Sequence, residues 1–277
     1  MIWIEAHSTF VIGVFMFGFC YLLATVILCV ALMLSRWSVA QSLKAIAPTT
    51  LTPLGVILGL LIGFLAARVW ANLDRANQYV GQEAGALRET ILLTDSLPAD
   101  VRTGVRRAVQ RHLDFIESEE WPAMASGRAT LQSIAVGLAE AMTALLSFTP
   151  VQSNQQLAQQ RALVAIEQAL EARRNRVLLS QAEIAPIQWA VILVLATLVL
   201  VTIAFVHIDR RLAMGITLFI FSTALAICLV LLLVYDRPFS AGGFTVRPAV
   251  LRAVVPNGAR GCTLAEPGMR TPCQPRA

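Results

Sequence analysis

Charge is what this chain has least of. Charged residues make up 14% of its 277 positions and hydrophobic residues 57%, where a soluble domain carries about 25% charge. That leaves too little polar surface to coat a water-soluble globule. Histidine is also scarce. His7, His112 and His207 are scattered, and none is paired by a motif with a nucleophile or a ligand set, so the chain does not read as an enzyme and no catalytic residue is assigned. The five cysteines include no Cys-x-x-Cys and none has a histidine nearby, which argues against zinc. The glycines form no phosphate-cradling loop after a strand. Neither a metal nor a cofactor is expected.

The apolar residues are clustered. A membrane span needs roughly 17–25 mostly apolar residues. The run from Phe10 to Leu34 holds no ionisable side chain except Cys20, Tyr21 and Cys29. Leu51 to Ala67, Ile184 to Val206 and Leu212 to Tyr235 are uncharged. Four such runs describe spans rather than soluble core helices. Ser38-Val39-Ala40 has the small-x-small look of a signal-peptidase site, but the first run is far longer than a signal core of roughly 7–15 residues. No positive side chain precedes it, so the run reads as a retained helix. Cys20, Cys29 and Cys228 lie inside spans and read as small packing residues. Cys262 and Cys273 fall in a Gly-, Pro- and Arg-containing tail, and their role stays open.

The fold class that follows is an all-α integral membrane protein: four transmembrane helices with a cytoplasmic helical-bundle insert between spans two and three. Its parts are an N-terminal tail (1–9), spans at 10–34, 51–70, 184–206 and 212–235, the insert (71–183), a post-span segment (236–256) and a disordered tail (257–277). Lys and Arg near span ends favour the cytoplasm. More of them, including Arg68, Arg75, Arg173, Arg174 and Arg237, collect on one side, which places both termini and the insert on the cytoplasmic side of a plasma membrane.

Within the insert, apolar residues recur at helical spacing. Val80, Ala84, Leu87 and Ile91 stripe a helix that continues from the second span. Leu97-Pro98-Ala99-Asp100 reads as a stop and restart. Val101, Val105, Val109, Leu113 and Ile116 stripe the next helix, which Trp121-Pro122 should interrupt. Leu131, Ile134, Leu138, Met142 and Leu145 stripe a third. After Thr149-Pro150, Leu157, Val164, Leu170 and Val177 suggest a fourth. Arg102, Arg106, Arg107 and Arg111 lie along the second of these helices. Glu117, Glu119 and Glu120 at its end oppose the helix dipole and should find partners or face water. These charges form either a solvated face with ordinary ion pairs or an ion-attracting ring. The offsetting acids and the absence of a reading motif speak against nucleic acid.

The second span carries two interleaved stripes. Gly55, Gly59 and Gly63 repeat every four residues and would let another helix approach closely. Val56, Leu60 and Phe64 repeat at the same interval, rotated about 100° around the helix. In a symmetric oligomer that column would form stacked apolar rings that gate by dewetting. On packing grounds alone, ordinary helix contacts are the favoured account of both stripes.

Leu54-Gly-Val-Ile-Leu-Gly-Leu-Leu-Ile-Gly-Phe64 resembles the second transmembrane helix of bestrophin channels, in which such a pattern lines a narrow neck. Arg68-Val-Trp70 is similar to the Arg-Trp-Trp that follows there. Asp236-Arg237-Pro238-Phe239-Ser240 resembles the acidic-x-Pro-Phe-Gly segment of bestrophin tails, with serine in place of the glycine. From Leu54 to Leu251 the chain more closely resembles a bacterial bestrophin-like family of unknown function. Arg68-Val-Trp70-Ala-Asn-Leu-Asp74-Arg75, Glu119-Glu120-Trp121-Pro122, Ala172-Arg173-Arg174 and Asp236-Arg237-Pro238-Phe239 look typical of that family. The resemblance implies an ion-channel subunit in a bacterial inner membrane, with Val56, Leu60 and Phe64 lining the pore. It further implies a homo-oligomer, pentameric by analogy, with membrane lipid and inorganic ions as partners. The acidic calcium cluster of animal bestrophins has no counterpart beyond Asp236, so calcium gating is not implied, and neither is an ion selectivity. A membrane-anchored helical sensor or interaction module without conduction is the alternative.

Overall fold

A computed structural model describes residues 9–35, 39–133, 135–239, 246 and 249–254. The helices run in the order α1 (Thr9–Leu34), α2 (Val39–Leu93), α3 (Ala99–Phe115), α4 (Trp121–Ala125), α5 (Val136–Leu146), α6 (Ser153–Ser180), α7 (Pro186–Val206), α8 (Arg211–Tyr235) and α9 (Ala249–Arg252). There is no strand among the described residues. Four helices are long and apolar enough to cross a membrane, and they are α1, the first part of α2, α7 and α8. The protein is an all-α integral membrane protein with a helical insert between its second and third spans. Cys262, Cys273 and the 257–277 tail lie outside the described residues, as does the Ser38-Val39-Ala40 side-chain environment.

The chain divides into two compact units, Met1–Tyr79 with Ser118–Ser133 and Arg174–Arg247, and Val80–Glu117 with Ile134–Arg173 and Pro248–Ala277. In the first unit, α1, α7 and α8 supply most of an apolar core. Cys20, Ala24, Ile27 and Ala31 of α1 meet Ile192, Ala196, Val199 and Leu200 of α7 and Met214, Leu218, Leu225 and Leu229 of α8. Small residues on α1 allow close backbone approach where lipid removes the hydrophobic drive for helix association. Tyr21 stacks on Phe219 with ring centroids 5.1 Å apart, and its hydroxyl shares a 3.0 Å hydrogen bond with Thr223. Cys29, expected to pack, is exposed on the outer face of α1, unlike buried Cys20. It lies off the Cys20–Ala24–Ile27–Ala31 stripe that packs into the core.

Helix α2 runs for 55 residues with Pro48 and Pro53 inside it, about 80 Å at 1.5 Å per residue. Each proline removes one N–H from the helix ladder. Between them, the Thr49 hydroxyl donates to the Ile46 carbonyl at 2.7 Å and the Thr50 hydroxyl to the Ala47 carbonyl at 3.1 Å. Hydroxyls of this kind help an apolar helix tolerate proline. The apolar window of 51–70 is thus the middle of a longer helix that begins at Val39 and ends at Leu93.

In the second unit the α3 stripe is buried at Val105, Val109 and Leu113, and the α5 stripe at Leu138, Ala141 and Leu145. Gly137 lies where the two helices touch: a Cβ there would stand 2.5 Å from the Ala108 carbonyl oxygen and 2.7 Å from the His112 nitrogen. Gln159 of α6 donates to the Leu145 and Phe148 carbonyls at 2.6 and 2.8 Å, satisfying acceptors that the end of α5 would leave open.

Three sequence expectations are corrected here. Leu131 is exposed in a turn before α5, which starts at Val136, so the stripe begins later than expected, and Ile134 lies outside the described residues. Trp121-Pro122 does not break the helical path. Residues Ile116–Glu120 widen into a π turn that leads into α4, which absorbs the hydrogen bond the proline cannot donate. On α6, Leu157 and Val164 are exposed, Leu170 is half-buried and Val177 is buried, and most of the buried face is made by Ala158, Ala162, Ala165, Ile166, Ala169 and Ala172. The first half of the expected stripe therefore lies off the buried face, which alanine dominates.

Candidate functional site

Two features of the first unit are built from the residues singled out in the sequence. One is the outer face of α2. Val56, Leu60 and Phe64 are 55%, 55% and 72% exposed, whereas Leu58, Leu65 and Val69 on the opposite side are buried in the helix core. Nothing lies within 4 Å of a Cβ built at Gly55, Gly59 or Gly63. Neither stripe is covered within the protomer. The close approach that the glycines permit is not made by any helix of the same chain among the described residues.

The other is a polar cluster that joins segments far apart in sequence. Arg176 and Glu120 form a salt bridge at 2.6 Å, with side chains 0% and 2% exposed. The Arg176 guanidinium also lies 5.6 Å from the centroid of the Trp121 ring and donates toward Met124 Sδ at 3.4 Å. Trp121 meets Phe239 edge to face at 5.5 Å. A buried guanidinium over an aromatic face and against a carboxylate has both its charge and its donors compensated.

Three residues before Phe239, Asp236 accepts a 2.9 Å hydrogen bond from the Ile184 backbone N–H at the entry to α7. Burial pushes the Asp236 carboxyl above its ordinary range; the Ile184 bond opposes this, Glu183 adds to it, and Arg237 and Arg68 oppose it. Arg237 pairs with Glu183 at 2.9 Å, and Arg68 of α2 donates to Gln188 of α7 at 3.3 Å. The chain entering α7 and the chain leaving α8 are therefore held together by Asp236 and Arg237.

The motif residues are not all of one kind. Glu120, Trp121, Asp236, Arg237, Pro238 and Phe239 converge, and Arg68 reaches the same end of the helices. Trp70, Asp74, Arg75, Glu119, Pro122 and Arg174 are exposed. Arg173 is buried in the second unit, with its guanidinium 6.0 Å from the Phe115 ring centroid. Of the α3 charges, Arg106 pairs with Asp95 at 2.7 Å and Arg111 pairs with Glu140; in the π turn that follows, Glu117 pairs with Arg252.

The family model of the Bestrophin-like domain matches residues 18–251. This chain belongs to the Bestrophin-like family. Its fold is also that of solved relatives. A crystal structure of a bacterial bestrophin homolog from Klebsiella pneumoniae, phased from zinc, superposes with a TM-score of 0.62 at 13% identity, covering 85% of this chain and 94% of that one. Two single-substitution variants of a Klebsiella pneumoniae bestrophin homolog give TM-scores of 0.66 and 0.65 at 14% and 13% identity. Each covers 86% of this chain, and they are covered over 96% and 97% of their own lengths. No curated protein matches the chain in sequence. At such identities the likeness is one of fold.

Two buried groups of this bestrophin-like chain were missed in the sequence. Arg176 belongs to none of the motifs quoted from the sequence. The alanine face of α6 points to it, because Ala158, Ala162, Ala165, Ala169, Ala172 and Arg176 follow one helical stripe. In the second unit, Glu83 of α2 and His112 of α3 meet at 3.0 Å with both side chains fully buried. Glu83 continues the stripe of Val80 and Leu87, so a carboxylate on an apolar face was the available signal.

Proposed function

We propose that this bestrophin-like protein is the subunit of a ring-shaped ion channel, in which Val56, Leu60 and Phe64 of α2 face the symmetry axis and form an apolar neck. The observation that carries this reading is the uncovered face of α2: three large apolar side chains in register, exposed on a helix whose opposite side is built into the protomer. Gly55, Gly59 and Gly63 sit beside that face with free space around them, where a neighbouring copy could approach. Rings of apolar side chains can gate a pore by excluding water, and widening them favours conduction. The bacterial bestrophin homologs of the same fold support the reading by analogy.

The excess of basic residues near one set of span ends supports an orientation with both termini and the insert in the cytoplasm of a bacterial inner membrane. Membrane lipid, sister chains and inorganic ions are then the partners.

The test is ion flux into liposomes from a complex whose oligomeric mass has been measured. Wild-type flux should exceed that of empty liposomes, and Phe64→Ala should raise it by opening the narrow ring. A verified oligomer whose flux equals that of empty liposomes ends the proposal. Flux that Phe64→Ala leaves unchanged removes Phe64 from the neck.

A further inference from the structure

The column of Val56, Leu60 and Phe64 has a continuation that neither its apolar character nor the motif cluster explains. About 15 Å further along α2 than Phe64, Asp74 and Arg75 are both exposed. Among the described residues Asp74 makes no hydrogen bond or ion pair. Arg75 donates one 3.4 Å bond to Asn72, which leaves most of its five donors open. The two cannot satisfy each other, because adjacent residues on a helix do not face one another.

Their directions are informative. At about 100° per residue, Asp74 points about 40° to one side of the line through Leu60, and Arg75 about 60° to the other side. If that line faces a symmetry axis, one side chain leans toward the neighbour on the left and the other toward the neighbour on the right. A ring built by rotation joins the left side of one copy to the right side of the next, a heterologous contact that closes on itself. Opposite charges then meet at every junction, whatever the number of copies.

We infer that Asp74 of each chain pairs with Arg75 of the adjacent copy, forming a closed belt of ion pairs beyond the apolar neck. The partner is a second copy of this chain, and the reason is charge complementarity across a rotation. A lone cationic patch would suit anionic lipid, but a carboxylate beside the guanidinium works against that. A belt of alternating charge has no net sign, so it contributes to assembly without setting an ion preference. The inference rests on the pore reading, since it takes the direction of the axis from Val56, Leu60 and Phe64.

The experiment compares D74R, R75D and the exchanged double variant D74R/R75D as full-length, detergent-solubilised protein. Complex mass is measured at low salt, with helical content checked by circular dichroism. Each single variant places like charges at every junction and should lose the ring mass. The exchanged double restores opposite charges and should regain it. In a mixture, D74R carries two cations at the junction and R75D two anions, so differently tagged single variants expressed together should co-purify although neither assembles alone, with every junction matched in an even-numbered ring and all but one in an odd-numbered ring. Single variants that keep the wild-type mass would overturn the inference, as would failure of both the exchanged double and the mixture to recover it. Wild-type protein that runs as one protomer would end the pore reading itself. A wild-type ring indifferent to these charges would end only the ion-pair belt.

Discussion

Arg176 offers the sharpest test of how the motif residues act. Its side chain is 0% exposed and pairs at 2.6 Å with a Glu120 carboxylate that is 2% exposed. Removing one member of a buried pair leaves the other charge desolvated without compensation, at a cost of about 3–5 kcal/mol. Loss of the Trp121 face from beneath the guanidinium adds about 0.5–2 kcal/mol. Against a total stability of about 5–15 kcal/mol for a typical domain, Arg176→Met alone should sharply lower the unfolding midpoint of the solubilised protein. Glu120→Leu should do the same. The double variant should recover most of the loss, because two apolar residues of similar volume can replace a buried ion pair with little net cost. The assay is a double-mutant cycle read by thermal or denaturant unfolding in one detergent. Two outcomes would refute the reasoning: Arg176→Met costing less than about 1 kcal/mol, or a double variant losing as much as the two singles added together.

Gly137→Ala should destabilise the α3–α5 contact by about 1–3 kcal/mol, because the new methyl would meet the backbone at Ala108 and His112 rather than a movable side chain. Hydrogen exchange of α3 and α5 in the full chain reads this directly, and unchanged protection would contradict it. Asp236 predicts a pH effect with a definite sign. Its carboxyl is raised in the folded state by burial, so its contribution to stability is fully present below the ordinary carboxylate range, near about pH 3.9. That contribution is lost as pH rises through the raised folded value. Asp236→Asn keeps a carbonyl oxygen for the Ile184 N–H and removes the titration. Stability of wild type relative to this variant should therefore fall as pH rises above the ordinary carboxylate range, measured as unfolding midpoints; a rise would be inconsistent with the burial argument.

The four spans were legible because lipid imposes a demand that any sequence must display openly, about twenty residues without charge. The exposed column on α2 was legible for a similar reason: Val56, Leu60 and Phe64 share a helical interval whatever surrounds them. What could not be read was partnership at long range. Glu120 and Arg176 are separated by 56 positions, and no local period connects them to each other or to Phe239. The motif Glu119-Glu120-Trp121-Pro122 was visible as a string, yet its residues do different things: Glu119 is exposed, Glu120 neutralises a buried arginine, and Pro122 follows a widened turn. On α6 the buried face is mostly alanine, with Ile166 and Val177, and methyl groups let helices approach closely while carrying a weak hydropathy signal. Leu157 and Val164, with the stronger signal, are exposed.

These contrasts separate two roles that the string of motifs had merged. Polar residues enclosed by the chain, such as Arg176, Glu120 and Asp236, have partners already and act by holding segments of one protomer together. Their substitution should be felt as stability in any assembly state. Residues the protomer leaves uncovered, whether apolar like Phe64 or charged like Asp74, gain nothing from the fold they belong to. Exposed apolar groups on a membrane helix can face acyl chains at no cost, so exposure alone does not argue for a sister chain. Asp74 and Arg75 lie beyond the apolar span, where water solvates exposed charges, and they differ from the apolar column in that a rotated copy would present each with an opposite charge. Their placement on opposite sides of the apolar line therefore follows from the axis that Val56, Leu60 and Phe64 define, and the charge-exchange variants test that axis instead of presupposing a pore.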